Sequence, residues 1–208
     1  MPLPNGVDPF GEIQPTCPAA SFLGNRGILH KDTGEITRRW QNTAWRTCAL
    51  HFKGRNIKPF MQPGGYTELF FLDEATALSA GHRPCGECRK EDYDKFKSAW
   101  NAAKGTDASI KEIDRQLHAE RLISSKDGKP AQQRLDELPD GVMFAINDQA
   151  FLKWKDDVLA WSPTGYSLPR VEVSKKQVVS VLTPASIIDV IRKGYQVRVH
   201  ETAAKLSV

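Results

Sequence analysis

The chain has 208 residues, of which 40% are hydrophobic and 26% are charged, and its net charge is +4. This composition is typical of a soluble globular protein, and the length suits one large domain or two small ones whose core needs no disulfide or metal. No apolar run approaches the roughly 18 residues that a membrane span requires, which excludes a membrane-spanning class.

The N-terminal segment MPLPNGVDPFGEIQP predicts the compartment. It has neither the basic region nor the apolar region of a secretory signal, so we expect a cytoplasmic protein. Thiols stay reduced in that compartment, and clustered cysteines there favour metal binding or catalysis over disulfides.

Short strands and turns are expected at the start of the chain. Residues 1–35 are rich in Gly, Pro and Asn and predict extended loop, with a hairpin that turns at Thr33 and Gly34. Residues 45–52 alternate as a strand does, which places Cys48 on a face that carries apolar side chains. The segment TELFFL then predicts a short buried strand.

Basic residues are concentrated between residues 25 and 60. This segment has eight basic residues against two acidic ones, so it carries +6 and leaves the remainder at −2. Arginines beside exposed aromatic rings neutralise phosphates and stack bases, which predicts contacts with nucleic acid. A solvated basic face with its tryptophans in the core is the other interpretation. The predicted nucleic-acid contacts are Arg38, Arg39, Trp40, Trp45, Arg46 and Arg55.

Three helices are predicted in the middle of the chain. Asp73 caps a short helix that runs to Ala80 and ends at Gly81. A longer helix follows the cysteines, carries aromatic side chains at three- and four-residue spacing, and ends at Gly105. Residues 110–122 predict a further amphipathic helix.

The C-terminal half follows a polar segment with Gly and Pro at intervals, residues 125–140, which predicts a linker. Beyond it, VMFAI, AFLKW, VLAW, RVEV and QVVSVL have the period of strands, and a helix with Pro at its first turn follows. We therefore predict an α+β protein, with a metal-binding mixed domain at 1–124 and a small antiparallel sheet or partial barrel with a C-terminal helix at 141–208.

Cys85 and Cys88 directly follow Pro84 and precede the longer helix. Two cysteines at this spacing in a tight turn reach one zinc ion, which favours thiolate and imidazole ligands in a tetrahedron. Neighbouring arginines, Arg83 and Arg89, and the helix N-terminus favour the thiolate form. The pair predicts a zinc site, and a redox dithiol or two structural cysteines are the alternatives.

The remaining zinc ligands must come from elsewhere in the chain. Cys48 is the first choice for the third ligand, because its strand can pack beside the Cys85–Cys88 turn. His51 completes the set if the strand ends or bulges between Cys48 and His51, since their side chains otherwise face opposite ways. Three more candidates stay open for the fourth position: His118, which Asp114 can orient one helical turn away, His82 and Cys17.

The stretch FFLDEATALSAGHRPCGECRKEDY, residues 70–93, resembles the second half of the Ada-type zinc-binding domain of bacterial methylphosphotriester repair proteins. An alanine-rich helix that ends in glycine, then an aromatic ring, Arg-Pro-Cys-x-x-Cys and a basic residue carry the resemblance. It implies that Cys85 and Cys88 supply two of four zinc ligands, and it implies a role in DNA repair. Phe52 stands where the family has a second upstream cysteine, so the resemblance supports the zinc knuckle more than the methyl transfer. The remainder of the chain resembles a bacterial family from which no activity follows.

The string PCGEC also fits half of the zinc deaminase pattern, in which His-x-Glu supplies a ligand and a catalytic acid or base. His118 and Glu120 form such a pair, although they lie after the cysteines instead of before them.

These patterns predict a zinc-binding protein that binds nucleic acid, DNA in the first instance, in repair or damage recognition. One alternative is a zinc-dependent hydrolase or deaminase that acts on a nucleobase or a related small molecule, with His118 and Glu120 as catalytic residues. The other is a zinc-stabilised interaction module without catalysis.

Overall fold

The computed structural model of the chain describes residues 5–15, 17–54, 61–126 and 131–206. Arg55, a predicted phosphate contact, lies outside these ranges. The described residues form five helices and two six-stranded sheets, which confirms the predicted α+β class. None of the helices in these ranges is both long enough and apolar enough to cross a bilayer.

The first sheet is mixed and is built from short strands in the order β2-β1-β5-β3-β4-β6. Parallel pairs join β1 to β5 and β4 to β6, and the other pairs are antiparallel. The predicted hairpin is present, with a bridge between His30 and Ile36 and a glycine, Gly34, at φ 80° in its turn. The strands are β1 (Gly6–Val7), β2 (Ile13–Gln14), β3 (Phe22–Asn25), β4 (Arg46–Ala49), β5 (Leu69–Phe71) and β6 (Arg83–Pro84).

The first two helices follow the predicted signals, whereas the third runs on to Lys126, past its predicted end at residue 122, and the last, Glu201–Leu206, has no predicted counterpart. The side chain of Asp73 accepts a hydrogen bond from the backbone N–H of Thr76 at 2.9 Å and caps α1. Gly105, at φ 63°, ends α2 in the left-handed conformation that glycine adopts without strain. The helices are α1 (Glu74–Ser79), α2 (Lys90–Lys104), α3 (Ile110–Lys126), α4 (Ala185–Arg192) and α5 (Glu201–Leu206).

The second sheet is antiparallel throughout, in the order β11-β10-β9-β8-β12-β7. Asn147 and Asp148 join β8 to β9 and both have positive φ, 47° and 62°, as a two-residue hairpin turn requires. The strands are β7 (Ala131–Arg134), β8 (Met143–Ile146), β9 (Gln149–Trp154), β10 (Asp157–Ser162), β11 (Gly165–Ser167) and β12 (Val178–Val181).

Two details of the predicted C-terminal half are wrong. Part of the predicted linker forms β7, which pairs with β12, and a single turn of 3-10 helix at Leu135–Glu137. β7 lies at the edge of the sheet and is mostly exposed, so its polar sequence lacks the alternation that marks a half-buried strand. The RVEV segment forms no strand, and β11 lies before it.

The larger hydrophobic core draws on both halves of the chain. Phe96 of α2 and Ile113 of α3 pack in one cluster with Phe144 of β8 and Ile188 of α4. A smaller cluster, which includes Leu69 and other apolar residues, lies under the first sheet. The larger core therefore extends across the predicted boundary between residues 124 and 141.

Candidate metal centre

Three cysteine thiols converge at the end of the first sheet. The Sγ atoms of Cys48, Cys85 and Cys88 all lie within 4.8 Å of one another. A tetrahedral zinc ion with Zn–S bonds of about 2.3 Å separates its sulfur ligands by about 3.8 Å, so a small adjustment places all three on one ion. Within the described ranges, this is the one cluster of three or more Cys, His, Asp or Glu side chains arranged to hold a metal.

Strand pairing brings the thiols together across a long stretch of sequence. β4 and β6 are parallel neighbours with Thr47 opposite Pro84, and the backbone N–H of Cys85 donates to the carbonyl of Thr47 at 2.9 Å. Cys48 therefore lies beside Cys85. The tight turn that follows returns Cys88 to the same place, because the N–H of Arg89 donates to the carbonyl of Cys85 at 3.1 Å.

The guanidinium of Arg89 holds this turn against the protein. It donates to Asp92 at 2.9 and 3.0 Å, to Glu74 at 2.5 Å and to the hydroxyl of Thr47 at 2.5 Å. All of these partners are buried. The residue directly after Cys88 thus joins the first helix, the second helix and the strand that carries Cys48.

The thiols themselves, with nearby backbone N–H groups, set the electrostatics of the site. Hydrogen bonding with Cys48 lowers the pKa of the Cys85 thiol to about 4, while burial raises the pKa of Cys88. The pKa of Cys48 is raised, first by its hydrogen bond with Cys85. The sequence analysis predicts that Arg83 and Arg89 favour the thiolate form of the cysteines. Their charges are offset in the structure, because Arg83 forms an ion pair with Asp114 at 2.7 Å and Arg89 forms one with Glu74.

The structure places none of the four candidates for the fourth ligand with the three thiols. His51 is exposed just after β4 ends, so the prediction that it completes the set is wrong in this conformation. His82 is fully buried, with Nε2 3.4 Å from Nε of Arg26. His118 packs against Trp40, and Cys17 lies 3.6 Å from the carbonyl of Pro163.

A small cavity adjoins two of the thiols. It has a volume of about 30 Å³ and is lined by Cys48 and Cys88 together with Asn25, Phe52 and Tyr66, among others. A cavity of roughly 10–15 Å³ accommodates one water molecule. The space beside the sulfur atoms is therefore large enough for one small ligand that the protein does not supply.

His118 and Glu120 do not form the catalytic pair of a zinc deaminase. Neither lies with the three thiols, and the Glu120 carboxylate accepts a hydrogen bond from the backbone N–H of Ser186 at 3.1 Å. Asp114 does not orient His118 either, since both of its oxygens bind Arg83. The α3 helix carries these side chains to a different part of the molecule.

The predicted nucleic-acid residues divide between surface and core. Arg38, Arg39 and Arg46 are exposed, and Trp40 is 40% exposed. Trp45 is only 6% exposed, and its indole N–H donates to the carbonyl of Asn42 at 2.8 Å, so its ring is not available to stack a base. Trp45 is therefore a core residue, as the alternative interpretation of this segment has it, whereas Trp40 is exposed, as a nucleic-acid contact requires.

A cleft of about 860 Å³ lies between the two sheets and contains residues that the sequence analysis does not single out. Arg26 and Arg121 lie in its wall, beside Trp45 and His118. A sequence signal exists for one of them, because Arg121 follows His118 by three residues on a helix and shares its face. No local signal distinguishes Arg26 from the surrounding surface arginines.

No protein-family model, no curated protein and no solved structure matches the chain. The class of the site is therefore argued from its geometry. That geometry defines a three-thiol site close enough to hold one metal ion.

Proposed function

We propose that this chain is a zinc-binding protein in which Cys48, Cys85 and Cys88 hold the ion. The convergence of three thiols from separate segments within 4.8 Å supports the proposal. Soft thiolate ligands select zinc over hard cations such as magnesium and calcium. The Ada-type resemblance of residues 70–93 points to the same metal.

The ion stabilises the junction between the first sheet and α2. It joins β4 to the turn that begins α2, and Arg89 ties the same turn to Glu74 of α1. A zinc ion that spans distant segments contributes its binding free energy to folding. The cavity beside Cys48 and Cys88 would leave room for one small fourth ligand, such as water, on an ion that the three thiols hold.

The experiment is a measurement of zinc content and affinity for reduced protein and for single serine variants. We expect one zinc per chain, and we expect Cys48→Ser and Cys85→Ser to weaken binding by more than the roughly 10- to 100-fold that follows loss of an outer partner. Cys17→Ser is the matched control and keeps wild-type affinity, because Cys17 lies apart from the three thiols. Reduced wild-type protein that takes up no zinc, or a Cys48→Ser variant with unchanged affinity, contradicts the site.

A second proposed function is binding of nucleic acid, DNA in the first instance, by a basic face of Arg38, Arg39, Trp40 and Arg46. The exposure of Trp40 among exposed arginines favours it, since an aromatic ring beside guanidinium groups stacks bases while the charges neutralise phosphates. The DNA-repair role implied by the Ada-type resemblance belongs to this proposal.

The salt dependence of binding to single-stranded and double-stranded DNA tests the basic face. We expect the logarithm of the binding constant to fall linearly with the logarithm of salt concentration, and Arg46→Gln to reduce the slope by about 1. Lys193→Gln, an exposed position just after α4, is the control and leaves the slope unchanged. A wild-type slope near zero removes the proposal.

A further inference from the structure

The cleft between the two sheets has a cationic wall, and within the described residues no carboxylate forms an ion pair with its two arginines. Arg26 is 2% exposed and Arg121 is half-buried, and neither forms an ion pair with a carboxylate in the described part of the chain. Both guanidinium groups pack on the ring of Trp45, with their central carbons 4.2 and 4.0 Å from its centroid. Buried charges are costly unless a group of opposite charge accompanies them.

The hydrogen bonds that the two arginines make do not supply the missing charge. Nη1 of Arg26 donates to the carbonyl of Gly11 at 3.0 Å, and Arg121 donates to the carbonyls of Thr43 and Gly81. Among the residues that the structure describes, Nη2 of Arg26 and Nε of Arg121 have no hydrogen-bond partner, and neither does Nδ1 of His118 in the same wall.

The acidic side chains near the cleft are engaged elsewhere or lie at its edge. Glu12 forms an ion pair with Arg39. Asp8 accepts hydrogen bonds from the backbone N–H groups of Phe10 and Glu12 at 3.0 Å, and from the side chain of Gln14 at 2.7 Å. Asp148 is exposed in the turn between β8 and β9. Burial lowers the pKa of Arg26 to about 9 even though the charge of Asp8 opposes the shift. Burial and the charge of Arg26 lower the pKa of Arg121 to about 9 even though Asp114 and Glu120 oppose it.

We propose that this cleft binds a small organic phosphate, with the phosphate on the side of Arg26 and Arg121 and the organic part toward Trp40. Two guanidinium groups match a phosphomonoester, whose charge of about −1.5 to −2 at neutral pH balances both, better than they match a carboxylate of charge −1. The inference does not require the metal, because none of the three thiols lines the cleft, whereas Arg39 and Trp40 of the basic face line it as well.

The other walls of the cleft suit the organic part of such a ligand. The volume of about 860 Å³ falls within the roughly 300–1,000 Å³ of small-molecule sites. Trp40 at the wall is 40% exposed and offers an aromatic surface. Gln132 and Ser180, which come from adjacent strands of the second sheet, add polar side chains.

Calorimetry with adenosine monophosphate, adenosine and inorganic phosphate tests the proposal on the full chain. We expect the monophosphate to bind at least about tenfold more tightly than adenosine, and inorganic phosphate to compete with it. Arg121→Gln lowers the affinity for the monophosphate by roughly 10- to 100-fold, the range of a lost charged hydrogen bond. Arg115→Gln, exposed on the same helix and outside the cleft, changes the net charge equally and keeps wild-type affinity.

Thermal unfolding of the wild-type chain provides a measurement that does not depend on how well the variant folds. Phosphate raises the midpoint more than chloride does at equal ionic strength, and the difference saturates as the cleft fills, whereas general exclusion of phosphate from the protein surface would keep growing with concentration. Equal affinity for the monophosphate and adenosine, equal effects of phosphate and chloride, or unchanged affinity in a folded Arg121→Gln variant overturns the proposal. Loss of zinc in the cysteine variants with retained monophosphate binding separates this site from the metal centre.

Discussion

Glu74 joins distant parts of the chain through its buried side chain. Its carboxylate is completely buried and accepts hydrogen bonds from Arg89 at 2.5 Å and from the hydroxyl of Tyr195 at 2.6 Å. It also accepts one from the backbone N–H of Arg198 at 3.0 Å. The carboxylate therefore compensates the arginine that follows Cys88 and binds the segment between α4 and α5.

We expect Glu74→Ala to lower the free energy of unfolding by about 3–5 kcal/mol, because the substitution leaves the charge of Arg89 buried with only Asp92 beside it. Urea denaturation measures the change. Glu91→Ala is the control, since the ion pair of Glu91 with Lys95 is exposed on both sides and contributes at most about 0.5 kcal/mol. A Glu74 variant as stable as the control would show that the buried carboxylate has no stabilising role.

Among the elements, β4 depends most on close packing by its neighbours. It lies between β3 and β6, with Cys48 opposite Leu23 and Thr47 opposite Gly24. A Cβ atom on Gly24 would lie 2.6 Å from the carbonyl oxygen of Arg46 and 2.7 Å from the ring of Phe71. The absence of a side chain at Gly24 is therefore what lets the strand that carries Cys48 approach.

Gly24→Ala is expected to lower the free energy of unfolding by about 1–3 kcal/mol, since backbone and ring must both move to admit the methyl group. Gly86→Ala provides the contrast, because a Cβ there meets the ring of Tyr93 at an ordinary 3.5 Å. Gly86 lies between Cys85 and Cys88, whereas Gly24 lies on β3. A larger loss of stability in Gly86→Ala than in Gly24→Ala would therefore refute the packing argument. Denaturation midpoints of both variants, measured with zinc present, decide between them.

The sequence predicts elements well where their signals are contiguous. Asp73 and Thr76 form the cap of α1 within four residues, and Asn147 and Asp148 form a turn by their own backbone conformations. β7 has no such signal. An exposed edge strand needs only backbone hydrogen bonds to its neighbour, so its side chains carry no apolar pattern.

On the scale of the whole molecule, the two halves of the chain share the larger hydrophobic core. Side chains of α2 and α3 enter the larger core with β8 and α4, and the cleft lies between the sheets with a wall from each. A ligand in this cleft contacts both sheets at once. The three-thiol site, in contrast, is built entirely from the first sheet and the turn that follows β6.

The sequence by itself determined the α+β class, the cap of α1, the glycine at the end of α2 and the Cys85–Cys88 turn, and it indicated Cys48 as the third thiol. Tertiary structure alone decided the rest: the parallel register that places Cys48 beside Cys85, the separation of His51 and His118 from the thiols, and the packing of Arg26 and Arg121 on the ring of Trp45. The physical reason is the distance along the sequence over which each feature depends on other residues. Caps and turns depend on neighbours a few residues away, whereas strand partners and the balance of buried charge depend on residues that only the folded chain brings together.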